Sequence, residues 1–234
     1  MNFKHLFCII LIVSSCRQKS AQVTIKRFLN FQVIDTTSTP ETFLTSYNDI
    51  TDYPIYYLGA INDTIGISNR YCNEQIHGTS YKDSEWSKNY STETLEIFVD
   101  TTFVTNLTVQ SPSGISSNAV VSPKKFSSYL MSIQNISDSS IFLGRTVSLY
   151  YLNLQAKDRN GNWISVDRKL SDLDICLTDE PQIVLHPDEI VISKVKRYKG
   201  KYTTDFRMAF GYGNNVVYSN VFKDSIDEIA FSIK

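Results

Sequence analysis

Histidine is scarce in this chain, with three among 234 residues, and His-Glu-x-x-His, Gly-x-Ser-x-Gly and glycine-rich phosphate loops do not occur. Their absence removes the zincin, nucleophile-elbow and P-loop readings. No charge of one sign dominates either: 23 basic residues face 24 acidic ones, a formal net charge of −1, which argues against nucleic acid as a partner. The longest apolar run, residues 6–13, is too short for a hydrocarbon core that needs ~20 residues, so a permanent membrane-spanning helix is not expected. The acids that cluster, Asp172 with Asp174 and Asp179 with Glu180, fall in a loop and are read as solvated rather than as a catalytic pair. The chain is therefore expected not to be an enzyme.

What is present favours strands. Alanine is sparse, whereas 14 Tyr and 13 Phe accompany frequent Thr, Ser and Ile. Hydrophobic residues make up 42% and charged residues 20%, without a long low-complexity tract, which fits a folded domain.

The first sixteen residues set the expected compartment. Lys4 and His5 precede the apolar run, and Ser14 and Ser15 lead into Cys16, the order of a cleaved secretory signal. Val13-Ser14-Ser15-Cys16 resembles the lipobox of bacterial lipoproteins. The resemblance implies a signal peptide over residues 1–15, lipidation of Cys16, and a short tether over residues 16–22. Several acyl chains on one residue anchor far more stably than one. A residue other than Asp after the cysteine, here Arg17, implies by the same resemblance transport to the outer membrane, and the lack of the acidic cluster that some groups use for surface placement favours the periplasmic face.

Removing residues 1–15 takes away Lys4 and no acid, leaving 22 basic residues against 24 acidic ones. It also leaves only His77 and His186. Cys8 departs and Cys16 carries lipid, so Cys72 and Cys176 remain. An oxidising envelope would let them form a disulfide that constrains the unfolded chain by ~3–5 kcal/mol. Two separate buried thiols are the open alternative.

Along the mature chain, residues 23–110 read as a smaller β-rich region and residues 120–234 as an immunoglobulin-like β-sandwich, with the Ser/Pro/Gly-containing residues 110–118 between them. Val23-Thr24-Ile25 and residues 31–34 are β-prone, and Thr39-Pro40-Glu41 is placed to cap one helical turn. Residues 55–61 and 64–67, split by Asn62-Asp63, read as a hairpin. Residues 69–91 lack a period and carry Tyr81, Trp86 and Tyr90, a candidate binding loop for a sugar or a protein surface, or else a roof over the sheet. Leu95, Ile97 and Val99 alternate, and residues 103–109 continue after Asp100.

Later, residues 147–156 read as a strand buried on both faces. Asn160-Gly161 reverses the chain before Trp163, because both residue types tolerate positive φ. A calcium loop over residues 158–162 is rejected: the glycine falls too early, and Lys169 stands where a bidentate glutamate is needed. No metal or other cofactor is expected. Residues 190–198, 202–212 and 216–222 follow as strands, and 226–233 closes the chain. In the second of these, Tyr202, Thr204, Phe206, Met208 and Phe210 share one face and Thr203, Asp205, Arg207 and Ala209 the other. Tyr202 is placed as a corner tyrosine, and Arg207 as a partner of Asp205 or of a neighbouring strand.

Ala156-x-Asp158-x-Asn160-Gly161-x-Trp163, Tyr198-x-Gly200-x-Tyr202-x-Thr204-x-Phe206-Arg207 and Tyr218-Ser219-Asn220-x-Phe222 together resemble uncharacterised lipoproteins of the Bacteroidota. The resemblance implies an envelope lipoprotein and brings no catalytic residue. Asp35-Thr36-Thr37, Asp63-Thr64-Ile65, Asp100-Thr101-Thr102 and Asp224-Ser225-Ile226 resemble an O-glycosylation pattern of that group, although in a chain rich in Thr, Ser and Asp chance and turn preference account for most such triplets. The expected function is a membrane-anchored, non-catalytic lipoprotein whose β-sandwich presents a binding or scaffolding surface to a protein or glycan. The alternatives are an immunity-like protein that blocks a toxin in the periplasm and a glycan-binding accessory using Tyr81 and Trp86.

Overall fold

The computed structural model describes residues 24–28, 31–35, 50–51, 53–67, 90–109, 124–145, 149, 151–169 and 182–232. The first strands are β1 (Thr24–Phe28), β2 (Phe31–Asp35), β3 (Ile50–Thr51), β4 (Tyr57–Ala60) and β5 (Thr64–Ile67). Next come β6 (Leu95–Val109), β7 (Lys124–Asn135), β8 (Ile141–Arg145), β9 (Leu152–Lys157) and β10 (Trp163–Ser165). The last are β11 (Arg168–Lys169), β12 (Gln182–Leu185), β13 (Glu189–Lys196), β14 (Tyr202–Tyr212), β15 (Asn215–Tyr218) and β16 (Phe222–Ile226). The fold is all-β, as the composition leads one to expect.

Three of the five sheets among the described residues form three layers, the other two being the strand pairs β3-β11 and β8-β12. The inner sheet has the antiparallel order β4-β13-β7-β6. On one side lies the five-stranded sheet β10-β9-β14, in which β15 and β16 both pair with β14. Between these two, Leu95, Ile97, Val99, Met131, Ile133, Val191 and Val195 meet Leu152, Leu154, Ala156, Phe206, Met208, Phe210 and Val217 in the main core. On the other side β1-β2-β5 lays Phe31, Val33, Ile65 and Ile67 against Phe103, Leu107, Leu130, Ile190 and Ile192. Every residue of β13 from Ile190 to Lys196 is consequently buried.

With β7 and β13 in one sheet and β9, β10, β14 and β15 in the facing one, the two sheets pack as a β-sandwich. The strands on either side of residues 110–118, themselves outside the described residues, share the inner sheet and the main core. Strands of the expected N-terminal region and of the C-terminal sandwich thus share one sheet and one core. β4 and β6 hydrogen-bond to β13 and β7 of the second half, and Leu95, Ile97 and Val99 of β6 are buried in the main core with Leu152, Leu154, Phe206 and Met208.

Burial between two layers forces the polar groups of β13 to find partners. Ser193 donates its hydroxyl to the Pro54 carbonyl at 2.8 Å. Lys194, fully buried, lies 3.6 Å from Asp35 at the end of β2, donates to the Asn106 carbonyl at 2.8 Å and sits 4.4 Å over the Tyr56 ring. Thr105 donates its hydroxyl to the same Asp35. The Asn106 side chain is buried beside this group with neither amide atom hydrogen-bonded among the described residues, a cost of about 1–3 kcal/mol.

Several sequence expectations are corrected. Residues 55–67 do not form a hairpin: β4 pairs with β13 and β5 runs parallel to β2, so Asn62-Asp63 carries the chain between layers. The backbone N–H of Gln32 donates to the Asp63 carbonyl at 2.8 Å, fixing that crossing. Residues 95–109 form one strand, whose register on β7 jumps from Asp100 to Val104. In that bulge the Asp100 carboxylate accepts from the backbone and hydroxyl of Thr102 at 2.8 and 2.6 Å, a turn role for one Asp-Thr triplet. The strand before Asn160 begins only at Leu152 and alternates between buried and half-buried positions, so it is not buried on both faces.

Residues 216–222 split into β15 and β16, because Ser219 donates its N–H to the Met208 carbonyl at 3.0 Å and accepts the Met208 N–H on its hydroxyl at 2.9 Å. Asn220 then leaves the sheet. After Ile226 the chain forms a 3-10 helix, Glu228–Ser232, capped by Asp227 accepting the Ile229 N–H at 3.2 Å, rather than a strand. Tyr202 is not a corner tyrosine; the buried tyrosine between β13 and β14 is Tyr198, whose hydroxyl donates to Asp167 at 3.1 Å. Tyr202 instead packs edge-on against Phe231. The Asn160-Gly161 turn occurs as expected, with φ of 81° at Gly161, and Gly213, at φ 63°, turns β14 into β15. The Thr39-Pro40-Glu41 turn lies outside the described residues.

Asp35→Ala should destabilise the fold by about 3–5 kcal/mol, by stranding a buried lysine, whereas Asp35→Leu with Lys194→Met should be close to neutral or stabilising in urea unfolding. Burial pushes Lys194 from 10.5 down to about 8, against the opposing pull of Asp35. Between those values the unfolded chain holds a proton that the folded chain has released, so this group's contribution to stability rises with pH. The unfolding free energy of the wild type should therefore gain on that of the double variant between pH 8 and 10.

Candidate binding surface on the outer sheet

Alternate residues of the five-stranded sheet point away from the main core, and the register decides which of them meet. The Asn160-Gly161 hairpin pairs Trp163 with Lys157 and Ser165 with Gln155, and β14 pairs Arg207 with Gln155, Ala209 with Tyr218 and Asp205 with Lys223. Residues directly paired across antiparallel strands share a face. Trp163, Lys157, Asp205, Lys223, Gln155, Arg207 and Tyr218 thus occupy one outer surface.

Arg207 is the centre of this surface. Its guanidinium carbon lies 4.2 Å from the Trp163 ring centroid and 3.7 Å from that of Tyr218, and Nε donates to Gln155 Oε1 at 2.8 Å. A planar cation between two rings satisfies both the ring quadrupoles and its own preference for flat contacts, about 0.5–1 kcal/mol per ring at such exposure. Partial burial draws its pKa below the ordinary arginine range while Tyr218 opposes the shift, and the group stays cationic.

Beside the stack, Asp205 bridges two lysines, accepting from Lys223 at 3.0 Å and Lys157 at 3.2 Å. Those hydrogen bonds hold its carboxyl below the usual carboxylate range. Lys157 also lies 5.1 Å from the Trp163 centroid. The sheet beneath is stiffened by aromatic packing: Phe206 stacks on Phe222 with centroids 5.8 Å apart, and Tyr129 meets Phe222 edge-on at 5.9 Å.

Of the residues singled out from sequence, Cys16, Cys72, Cys176, Tyr81 and Trp86 lie outside the described residues. Tyr90 is corrected: it is 4% exposed, its hydroxyl donates to the Phe142 carbonyl at 3.0 Å, and its ring meets Phe210 edge-on at 5.1 Å. It is a core residue, with its pKa raised by burial, and is not available to a ligand. His186 pairs through Nδ1 with the Ser140 hydroxyl at 2.9 Å, and its backbone N–H donates to Glu189 at 2.9 Å, closing the turn between β12 and β13. Among the described residues no group of three or more His, Cys, Asp or Glu is arranged to hold a metal ion.

The stack itself was missed in sequence, where Trp163 stood only as the start of a returning strand. The signal was available in two steps, since the tight Asn-Gly turn fixes Trp163 opposite Lys157, and strand alternation puts Arg207 on an outward face. Comparison of the chain with family models, curated proteins and solved structures found no match, so this surface is read from its own geometry.

A double-mutant cycle of Arg207→Ala and Tyr218→Ala should give a coupling of about 0.5–1 kcal/mol in urea unfolding. Arg207→Lys should lose most of that coupling, because an ammonium keeps the charge and not the plane. Strictly additive effects would show that the stack does not form in solution.

Proposed function

We propose that this chain is a lipid-anchored, non-catalytic protein of the cell envelope that presents the outer face of its five-stranded sheet to a binding partner. The observation that carries the reading is the Trp163–Arg207–Tyr218 stack, a cation and two rings held on the one face of that sheet turned away from the core. A group pre-organised in this way loses little side-chain freedom on binding, and less affinity is given up to ordering. Cys16 supplies the anchor in this reading. The tether and the sandwich then hold the surface on the periplasmic side of the outer membrane.

Two experiments bear on separate parts of the proposal. Cys16→Ser should abolish lipidation by intact mass and move the protein to the soluble fraction; an unmodified variant that stayed with the membranes would overturn the anchor. Hydroxyl-radical footprinting should show Tyr218 and Trp163 less oxidised in intact envelopes than in the detergent-purified protein. Equal oxidation in both would remove the binding-surface reading.

A further inference from the structure

We infer that the outer sheet takes an acidic polysaccharide, with the carboxylates or sulfates of successive sugar units pairing with Arg207, Lys157 and Lys223 while the sugar rings lie against Tyr218 and Trp163. The inference rests on the reading of this face as a binding surface and names its ligand class.

Charge is the first argument. Three cations and one carboxylate, Asp205, stand on the outward positions of β9, β14 and β16, a local excess of two positive charges on a chain whose formal net charge is −1. The acids nearby are already engaged: Glu228 pairs with Arg159, Asp224 with Arg197, and Asp158 accepts the backbone N–H groups of Asn160 and Asn162 at the hairpin tip. Each lysine gives Asp205 one of its three N–H groups, and Arg207 gives Gln155 one of its five. Donors therefore remain on all three cations, and a guanidinium whose plane is fixed suits the two oxygens of a carboxylate or sulfate.

Shape is the second. From β10 to β15 the sheet spans three inter-strand steps, about 14 Å of backbone at ~4.8 Å per step, while the Trp163 and Tyr218 rings close on Arg207 between them, over a pleated sheet rather than a cleft. Small-molecule sites are concave. An open sheet face that sets the Trp163–Arg207–Tyr218 stack beside the Lys157–Asp205–Lys223 group instead suits an extended chain. Tyr218 is 44% exposed and keeps ring surface in solvent for stacking.

Composition separates this ligand from other macromolecules. Trp, Tyr and Arg are also favoured in protein interfaces, but Lys, Asp and Ser are depleted there, and here Lys157, Lys223, Asp205, Ser165 and Ser225 share the surface. Binding to anionic lipid headgroups generally draws on clusters of about four to eight basic residues, more than this face carries.

The test is native affinity electrophoresis of the detergent-solubilised full chain through gels containing dextran sulfate, polygalacturonate or neutral dextran. Retardation is expected in at least one acidic gel, weakening as salt rises, with none in dextran. Arg207→Ala should weaken it about tenfold. Lys223→Gln, at an exposed position, should weaken it severalfold without altering the circular dichroism melting curve, and Tyr218→Ala should weaken it severalfold with a shift of that curve of no more than a few degrees.

No retardation in either acidic gel, or equal retardation in dextran, would overturn the proposal. So would retardation unchanged in all three variants, or capture by anionic phospholipid vesicles without retardation by polysaccharide. Footprint protection of Tyr218 in intact envelopes together with no retardation would remove the acidic polysaccharide and leave the binding surface standing.

Discussion

The constraint on which the structure depends is that β13 lies between two hydrophobic layers. A strand buried on both faces cannot hide a polar side chain by turning it outward, so Ser193 and Lys194 have to be satisfied from neighbouring layers. Lys194 is answered by Asp35, which belongs to the small sheet, and by the carbonyl of Asn106 on β6. The ion pair is a costly way to hold the small sheet in place, since desolvation offsets much of its attraction. What it contributes is position: a slip of β2 by one residue would turn Asp35 away and leave the buried lysine without its counter-charge.

The same sharing of one sheet between two cores explains β6. Before its bulge, Leu95, Ile97 and Val99 belong to the main core; after it, Phe103 and Leu107 belong to the second. Simple alternation would keep these odd-numbered residues on one face, and the unpaired residues between Asp100 and Val104 exchange the faces. As the edge strand of its sheet, β6 would also expose unpaired backbone groups. Asn220 covers part of that edge: its amide oxygen accepts the Val99 N–H at 2.8 Å and its amide nitrogen donates to the Val99 carbonyl at 3.1 Å. One side chain thus plays the part of a neighbouring peptide and ties the outer sheet to the inner one.

Which features were legible follows from the range of the interactions that fix them. The Asn160-Gly161 reversal and the alternation of β14 are written in adjacent residues, and both can be read directly. The Asn62-Asp63 turn looks local too, yet the strands flanking it pair with β13 and β2, partners that no short window contains. The split at Ser219 depends on the Met208 backbone across the sheet and on Val99 in another layer. Tyr90 read as a loop aromatic because its immediate neighbours are polar, whereas its partners, Phe142 and Phe210, lie far along the chain.

The outward stack follows from the same layering. Both faces of the inner sheet are occupied by cores, so a broad side-chain surface on that side of the molecule has to come from a terminal layer. Of the two terminal layers, the five-stranded sheet is the wider and is backed by the larger core. On such a support Arg207 cannot collapse into the interior, because the even-numbered positions of β14 already fill it with Phe206, Met208 and Phe210. Trp163 and Tyr218 face the same restriction from the register of β10 and β15. Three large side chains confined to one outer face bury most surface by stacking on one another, and a cation between two rings is the arrangement in which their electrostatics agree. The stack is thus a consequence of the sandwich, and its exposed edges are what the sandwich can offer to a ligand.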